Sequence, residues 1–122
     1  MKRESRVAIV VGSGSGIGKA TVKHLAANGI KVMAADIDFE SARKVAEEAQ
    51  SGADNCEVTP IQVDMTNEQE VKEMVRSTLE KYGRIDILVN VAGGSSGRFI
   101  REKAGPFAES TTEEWDRIIA IN

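Results

Sequence analysis

Val11-Gly12-Ser13-Gly14-Ser15-Gly16-Ile17-Gly18 joins an apolar run to a helical pattern, and the predicted architecture is organised around this stretch. The apolar run at 6–11 predicts a buried strand, and the residues from Gly16 onward predict a helix. Its apolar stripe is expected at Ile17, Ala20, Thr21, Leu25 and Asn28. Glycines permit a tight turn, and small side chains let an anion reach backbone amides at the positive end of the helix dipole. A nucleotide-diphosphate site is therefore predicted, with a ligand-free glycine loop as the alternative. Its lining is expected to be Gly12, Gly14, Ser15, Gly16, Ile17 and Gly18.

Composition places the chain among globular proteins and argues against several kinds of partner. It has 122 residues, of which 41% are hydrophobic, and this suits one domain. A formal net charge of −3 gives no reason to expect a nucleic acid or an anionic membrane as a partner. Every apolar run falls short of the ~20 residues that span a bilayer.

The cysteine and histidine content bears on the compartment and on metal binding. Cys56 is the single cysteine, which excludes an internal disulfide and fits a reducing compartment, so we expect a cytoplasmic protein. The single histidine, His24, lies on the first predicted helix, where a surface position is expected. One histidine and one cysteine cannot supply the three or four ligands of a metal site, so none is expected.

Strand and helix patterns alternate along the rest of the chain. Further strands are predicted at 30–35, 58–63 and 85–92. Further helices are predicted at 39–51, from the capping sequence Thr66-Asn67-Glu68-Gln69 to Gly83, and from Trp115 onward. Pro60 indicates that the third strand lies at a sheet edge, because proline cannot donate to the ladder. The fourth strand is apolar enough to be buried on both faces.

This alternation predicts an α/β fold with right-handed crossovers and a doubly wound parallel sheet of the Rossmann type. The expected strand order is 3-2-1-4, which agrees with an outer position for Pro60. Ligands bind such sheets at the carboxyl ends of the strands, where the strand order reverses. The glycine-rich stretch, Asp36 and the segment Asn90-Val91-Ala92-Gly93 are expected to converge there.

Asp36 indicates which dinucleotide the site prefers. It lies eighteen residues beyond Gly18, at the end of the second strand. An acid at that position accepts hydrogen bonds from ribose hydroxyls and repels a 2′-phosphate. Ile37 and Asp38 add no basic side chain that would hold such a phosphate, so NAD is expected over NADP. The alternative is that Asp36 caps the second helix, although Asp38 could take that role.

These segments together resemble the short-chain dehydrogenase/reductase family along the whole chain. Five motifs occur in order: the glycine loop at 11–18, Asp36, the pair Asp64-Met65, the segment 82–89, and the segment 90–93 that follows it. Val11 replaces the family's usual threonine, whose hydroxyl helps tie the glycine loop to the fourth strand, and Val91 replaces an asparagine. The resemblance implies that Ile37, Asp64, Met65, Asn90, Ala92 and Gly93 also bind the cofactor. For Asp64, a simple turn into Thr66 is an equal alternative.

The resemblance also implies an activity, hydride transfer between nicotinamide and an alcohol, ketone or 3-oxoacyl substrate. The family's catalytic groups are a serine, a Tyr-x-x-x-Lys pair and an asparagine. Asn122 matches the asparagine, or else is a frayed terminal residue. The only tyrosine, Tyr82, has Asp86 four residues on, so the pair is absent. We therefore expect residues 1–122 to be a single cofactor-binding domain that stops within the helix after the fourth strand and is inactive alone.

Two other readings of the chain stay open, as does the identity of its partner. It could be a non-catalytic NAD-binding module, or one chain of a split enzyme. An unpaired apolar fourth strand would expose a sheet edge, so we expect a homo-oligomer or a complementing partner. In the family the last helix takes part in subunit contacts. Arg98 and Arg101 either meet an anionic substrate group or form a solvated charge run.

Overall fold

The computed structural model describes residues 5–93 and 111–121, in which strands and helices alternate. The elements are β1 (Val7–Val11), α1 (Gly16–Ala27), β2 (Lys31–Asp36), α2 (Phe39–Ser51), β3 (Val58–Gln62), α3 (Glu68–Tyr82), β4 (Ile87–Asn90) and α4 (Thr112–Ile121). They fall into two compact units, Met1–Val91 and Ala92–Asn122. All four strands belong to the first unit, and α4 belongs to the second. The prediction of one domain over 1–122 stays a prediction.

The sheet is parallel throughout, with the order β3-β2-β1-β4. This confirms the predicted fold class and the edge position of Pro60. Val11 at the end of β1 is level with Ala35 of β2 and with Asn90 of β4. The carboxyl ends of these strands therefore lie along the same edge of the sheet.

The core forms where α1 and α2 pack on one face of the sheet. Side chains from β1, β2 and the two helices meet there, among them Val10, Val32, Val22, Ala26 and Val45. Ile9 and Met33 alternate with these strand residues, so they point to the opposite face, and they are buried as well. The inner strands are thus covered on both sides, as expected of a parallel sheet.

The predicted apolar stripe of α1 is wrong, although one of its members, Leu25, is partly buried and packs against the core. The buried residues of this helix are Gly18, Val22 and Ala26, spaced four apart, while Ile17 is 75% exposed. Gly18 packs directly against the turn that precedes the helix, and this contact sets the rotation of α1 about its own axis. The spacing of apolar residues in the sequence does not reveal this tertiary contact.

The predicted capping residue of α3 is also wrong by one position. Asn67, not Thr66, begins the helix, and its side-chain oxygen accepts from the amides of Gln69 and Glu70 at 3.0 and 3.2 Å. The Thr66 hydroxyl donates instead to Asp64. At α2, the sequence left the capping role open between Asp36 and Asp38; Asp38 takes it, because its side chain accepts from the Ser41 amide.

The fourth strand is shorter than predicted and is not buried on both faces. β4 spans four residues whose side chains alternate between half-buried and exposed, and Leu88 is 64% exposed. Within the described residues β4 pairs with β1 alone, so it is an edge strand. Its apolar sequence predicted an interior position that the described part of the sheet does not provide.

Candidate cofactor-binding site

The turn between β1 and α1 is held tightly against the end of β2. The amides of Gly12 and Ser13 donate to the Ala35 carbonyl at 2.9 and 3.0 Å. The Ser13 hydroxyl donates to the same oxygen at 3.0 Å, and its side chain is fully buried. Gly12 has a φ of 88°, in the left-handed region that favours glycine. The chain therefore leaves the sheet through a turn whose backbone is fixed by its neighbour strand.

Two glycines at the start of α1 meet different requirements. A Cβ on Gly18 would lie 1.8 Å from the Gly12 carbonyl oxygen, so only glycine lets the helix begin directly against the turn. Gly16 has a φ of 56°, and a Cβ there would have nothing within 4 Å. Gly18 is thus needed for packing, whereas Gly16 borders open space at the head of the helix.

The head of α1 has the features of an anion site. Ser15 occupies the N-cap position without a side-chain hydrogen bond to the helix, and the first turn contains no acidic residue. The first amides of a helix have no partner within it and form the positive end of its dipole. An anion at this position, next to the open side of Gly16, would meet amides that no side chain has capped.

Asp36 faces this turn and is fixed by two backbone amides. Its Oδ2 accepts from the Gly14 amide and its Oδ1 from the Asp38 amide, both at 2.9 Å. Since Asp38 caps α2, Asp36 is not the capping residue. Ile37, beside it, is 51% exposed. The carboxylate thus stands next to the glycine turn, where the sequence predicted that a ribose would bind.

Asp64 and Met65 follow β3 at the same edge. The Val63 amide donates to the Asp36 carbonyl at 3.0 Å, which brings this segment beside the end of β2. Asp64 Oδ1 accepts from the Thr66 amide and hydroxyl, at 2.9 and 2.6 Å, and these bonds lower the pKa of Asp64. The turn reading of Asp64 is therefore confirmed, and its contact with an adenine stays a prediction.

Asn90 ends β4 level with the glycine turn. The next amide, of Val91, donates to the Val11 carbonyl at 3.0 Å, and the Val91 side chain packs against the core. Val11 itself is 1% exposed. Val11 and Val91 are the two positions where the sequence departs from the family pattern. Here a backbone hydrogen bond and apolar packing join β1 to β4.

The remaining predicted site residues belong to the second unit or lie outside the described residues. Ala92 and Gly93 belong to the second unit, in which Gly93 has a φ of 146°. Asn122, Arg98 and Arg101 lie outside the described residues.

Other reactive side chains lie away from the carboxyl ends of the strands. The Tyr82 hydroxyl pairs with Thr59 Oγ1 at 2.6 Å, near the start of β3, and burial raises the pKa of Tyr82. Cys56 is buried with its thiol donating to the Ile30 carbonyl, and burial raises the pKa of that thiol too. His24 is exposed, as expected.

Over residues 5–93 and 111–121, no group of three acidic, histidine or cysteine side chains is placed to hold a metal ion. None of the helices in those ranges is long and apolar enough to cross a membrane.

Two residues of the site were missed by the sequence reasoning. Ser13 supplies two of the three donors to the Ala35 carbonyl. Ser41, in the first turn of α2, lies against Gly14: a Cβ on that glycine would be 2.7 Å from the Ser41 Cβ. Ser13 lies inside the glycine motif, which was a signal for it, but no local pattern indicates Ser41.

Comparison with known proteins assigns the chain to a family. Residues 6–122 match the sequence profile described as short chain dehydrogenase. The chain belongs to the short-chain dehydrogenase family. Members of this oxidoreductase family bind nicotinamide cofactors.

Individual relatives agree with this assignment. An uncharacterised oxidoreductase of Thermotoga maritima is 40% identical over 119 residues, which is 98% of this chain and 43% of the relative. The crystal structure of 3-ketoacyl-(acyl-carrier-protein) reductase from Brucella melitensis complexed with NADH aligns with a TM-score of 0.77 at 33% identity, covering 97% of this chain and 44% of that one. The F189W actinorhodin polyketide ketoreductase with NADPH gives 0.80 at 28% identity, covering 99% and 43%. The chain thus spans less than half the length of these proteins.

Proposed function

We propose that this chain is the cofactor-binding part of an NAD-dependent oxidoreductase. The observation that carries the proposal is the head of α1, where the amides have no side-chain cap and Gly16 has an open side, while the Asp36 carboxylate accepts from the Gly14 amide two residues earlier in the same turn. This arrangement fits a dinucleotide: the amides suit its diphosphate and the carboxylate suits the adjoining ribose. Ile17, exposed at the same helix start, offers an apolar surface to the rest of the cofactor.

NAD is proposed over NADP because of the charge at the end of β2. A 2′-phosphate would stand against the Asp36 carboxylate, and Ile37 supplies no cation to offset the repulsion. Replacing Asp36 with asparagine removes that charge. Asp36→Asn should lower the ratio of the dissociation constants for NADP and NAD by about tenfold or more. A change of that size corresponds to the loss of one hydrogen bond to a charged group. An unchanged preference would remove Asp36 from this role.

The reaction proposed is hydride transfer between the nicotinamide and an alcohol, ketone or 3-oxoacyl substrate. A nicotinamide cofactor supplies or accepts the hydride, and the protein must then exchange a proton at the substrate oxygen. The 122 residues contain no Tyr-x-x-x-Lys pair that would do so, and Asn122 is the one family catalytic position proposed within them. We therefore propose that these residues bind the cofactor and do not turn over substrate by themselves.

Titration calorimetry of the full-length protein with NAD and with NADP tests the binding site. We expect NAD to bind and Gly16→Val to abolish binding, because the new side chain fills the open space where the diphosphate would lie. Gly83→Val is the matched control: Gly83 also has a positive φ and an open Cβ position, but it ends α3. Equal losses in both variants would show that backbone strain, and not the lost site, explains the result. Absence of any heat with wild-type protein would end the proposal, including its version as a non-catalytic NAD-binding module.

Association with a second chain is also proposed, as a homo-oligomer or with a complementing chain of a split enzyme. Its support is β4, an apolar strand that pairs on one side only within the described residues and exposes Leu88. Such edges pair readily with other chains. A monodisperse monomer by light scattering at high concentration would contradict this. A cytoplasmic location is proposed on the single, buried thiol of Cys56, which suits a reducing compartment.

A further inference from the structure

We propose that Gly14 is a positioning residue for Asp36, and that through Asp36 it sets the choice between NAD and NADP. This inference rests on the proposed function, in which Asp36 binds the adenosine ribose. It assigns Gly14 a task different from that of the other glycines in the turn. Those glycines permit the turn and expose amides to a diphosphate, whereas Gly14 fixes a carboxylate.

The first support is the direction of the Gly14 amide. It donates to Asp36 Oδ2 at 2.9 Å, across 22 residues of sequence. The other oxygen, Oδ1, accepts from the Asp38 amide at 2.9 Å. The carboxylate is therefore held from two sides by backbone groups, one from the glycine turn and one from the start of α2. An amide that donates to Asp36 is not directed at a diphosphate at the head of α1.

The second support is that space, not backbone conformation, requires glycine at this position. Gly14 is not among the glycines with a positive φ, unlike Gly12 and Gly16. A Cβ on Gly14 would lie 2.7 Å from the Ser41 Cβ and 2.9 Å from Asp36 Oδ2. Both separations are shorter than real Cβ atoms show. The missing side chain thus lets the turn, the end of β2 and the first turn of α2 come together.

The geometry also indicates which group gives way when a methyl is added. Ser41 Cβ is attached to the backbone of α2, so it moves only with the helix. Asp36 Oδ2 is the far end of a flexible side chain, so it can rotate away without moving the backbone, although it then loses its hydrogen bond to the Gly14 amide. An alanine at position 14 is therefore expected to displace the carboxylate, which removes a ribose partner of NAD and moves a negative charge away from the 2′-phosphate of NADP.

The test is the ratio of the dissociation constants for NADP and NAD in the full-length protein. Gly14→Ala should lower this ratio about tenfold or more, through weaker NAD binding and unchanged or tighter NADP binding. Gly52→Ala is the matched control, since a Cβ there makes only ordinary contacts, at 3.5 and 3.9 Å, and Gly52 lies at the far end of α2. The control should keep the wild-type ratio.

The outcomes separate this inference from the proposed function. Wild-type protein that binds no NAD, or has no preference for it, overturns the proposed function. Wild-type protein that prefers NAD, together with a Gly14→Ala variant that weakens NAD and NADP equally, overturns the positioning role alone.

A second variant covers the case in which Gly14→Ala does not fold. Combining it with Ser41→Gly removes the contact with α2 and leaves only the contact with Asp36, which a side-chain rotation relieves. The double variant is expected to fold and to show a ratio about tenfold or more below that of Ser41→Gly alone, which is its reference. A double variant that retains the ratio of Ser41→Gly alone would overturn the inference.

Discussion

Replacing Gly18 with alanine tests the contact on which the geometry of the site depends. The new Cβ would lie 1.8 Å from the Gly12 carbonyl oxygen and 2.6 Å from its carbon, where real Cβ atoms keep at least 3.0 Å. Both contacts are backbone atoms, so α1 must move away from the turn by more than about 1 Å, and Val22 and Ala26 leave their core positions with it. Overpacking of this kind costs about 1–3 kcal/mol or more. The better helix propensity of alanine offsets about 1 kcal/mol.

Because both contacts are with backbone atoms, the cost lies at the upper end of that range, and the net loss expected is about 2 kcal/mol, or roughly 10 °C in Tm for a domain of this size. Thermal unfolding followed by circular dichroism measures it, with NAD affinity recorded in parallel. The Tm of Gly16→Ala should lie between the Tm of Gly18→Ala and that of the control Gly52→Ala. A φ of 56° strains an alanine at position 16 by about 1–2 kcal/mol, although no atom obstructs its Cβ. A Gly18→Ala variant as stable as Gly52→Ala would refute the reasoning.

Three further predictions concern charge, burial and specificity. Arg84 and then the Val7 amide lower the pKa of Asp86, so its contribution to stability is present above the unfolded value of about 3.9 and is lost as the pH falls through the folded pKa. Asp86→Asn should therefore flatten the acid side of a plot of urea midpoint against pH, and an unaltered slope would contradict this. Because burial raises the pKa of the Cys56 thiol, a disulfide reagent at mildly alkaline pH should modify native protein at least about tenfold more slowly than urea-unfolded protein. Ile37→Arg should tighten NADP binding about tenfold and make it depend on salt, because an arginine can pair with a 2′-phosphate. Fluorescence titration with NADP at two ionic strengths measures both changes. If neither change is found, the ribose does not bind beside residue 37.

Element order and some of the boundaries were predictable because their signals are local. Gly83 has a φ of 79° and ends α3 as its position in the sequence predicted, and Asp38 begins α2. The strand order followed from the alternation of elements and from Pro60. Each of these inferences uses neighbouring residues or a general rule of parallel sheets.

What depended on tertiary contacts was not predictable. The buried face of α1 is set by Gly18 against the turn, so Ile17 is exposed although it is the more apolar residue. Leu88 looks like an interior strand residue, but its burial depends on what lies beside β4. In the site, the convergence of the strand ends was predicted, whereas the bond between Gly14 and Asp36 joins backbone segments whose separation no sequence spacing reveals.

The Ala35 carbonyl, which accepts from three donors in the β1–α1 turn, has a consequence for the order of events in binding. A connection so anchored is preassembled during folding, and little of its entropy is left to lose when a dinucleotide arrives. Amide hydrogens at Gly12 and Ser13 should accordingly exchange with deuterium as slowly as those of the adjoining strands, even without ligand. A dinucleotide that meets this turn then needs no prior ordering of it, so this step of binding depends on diffusion and orientation alone.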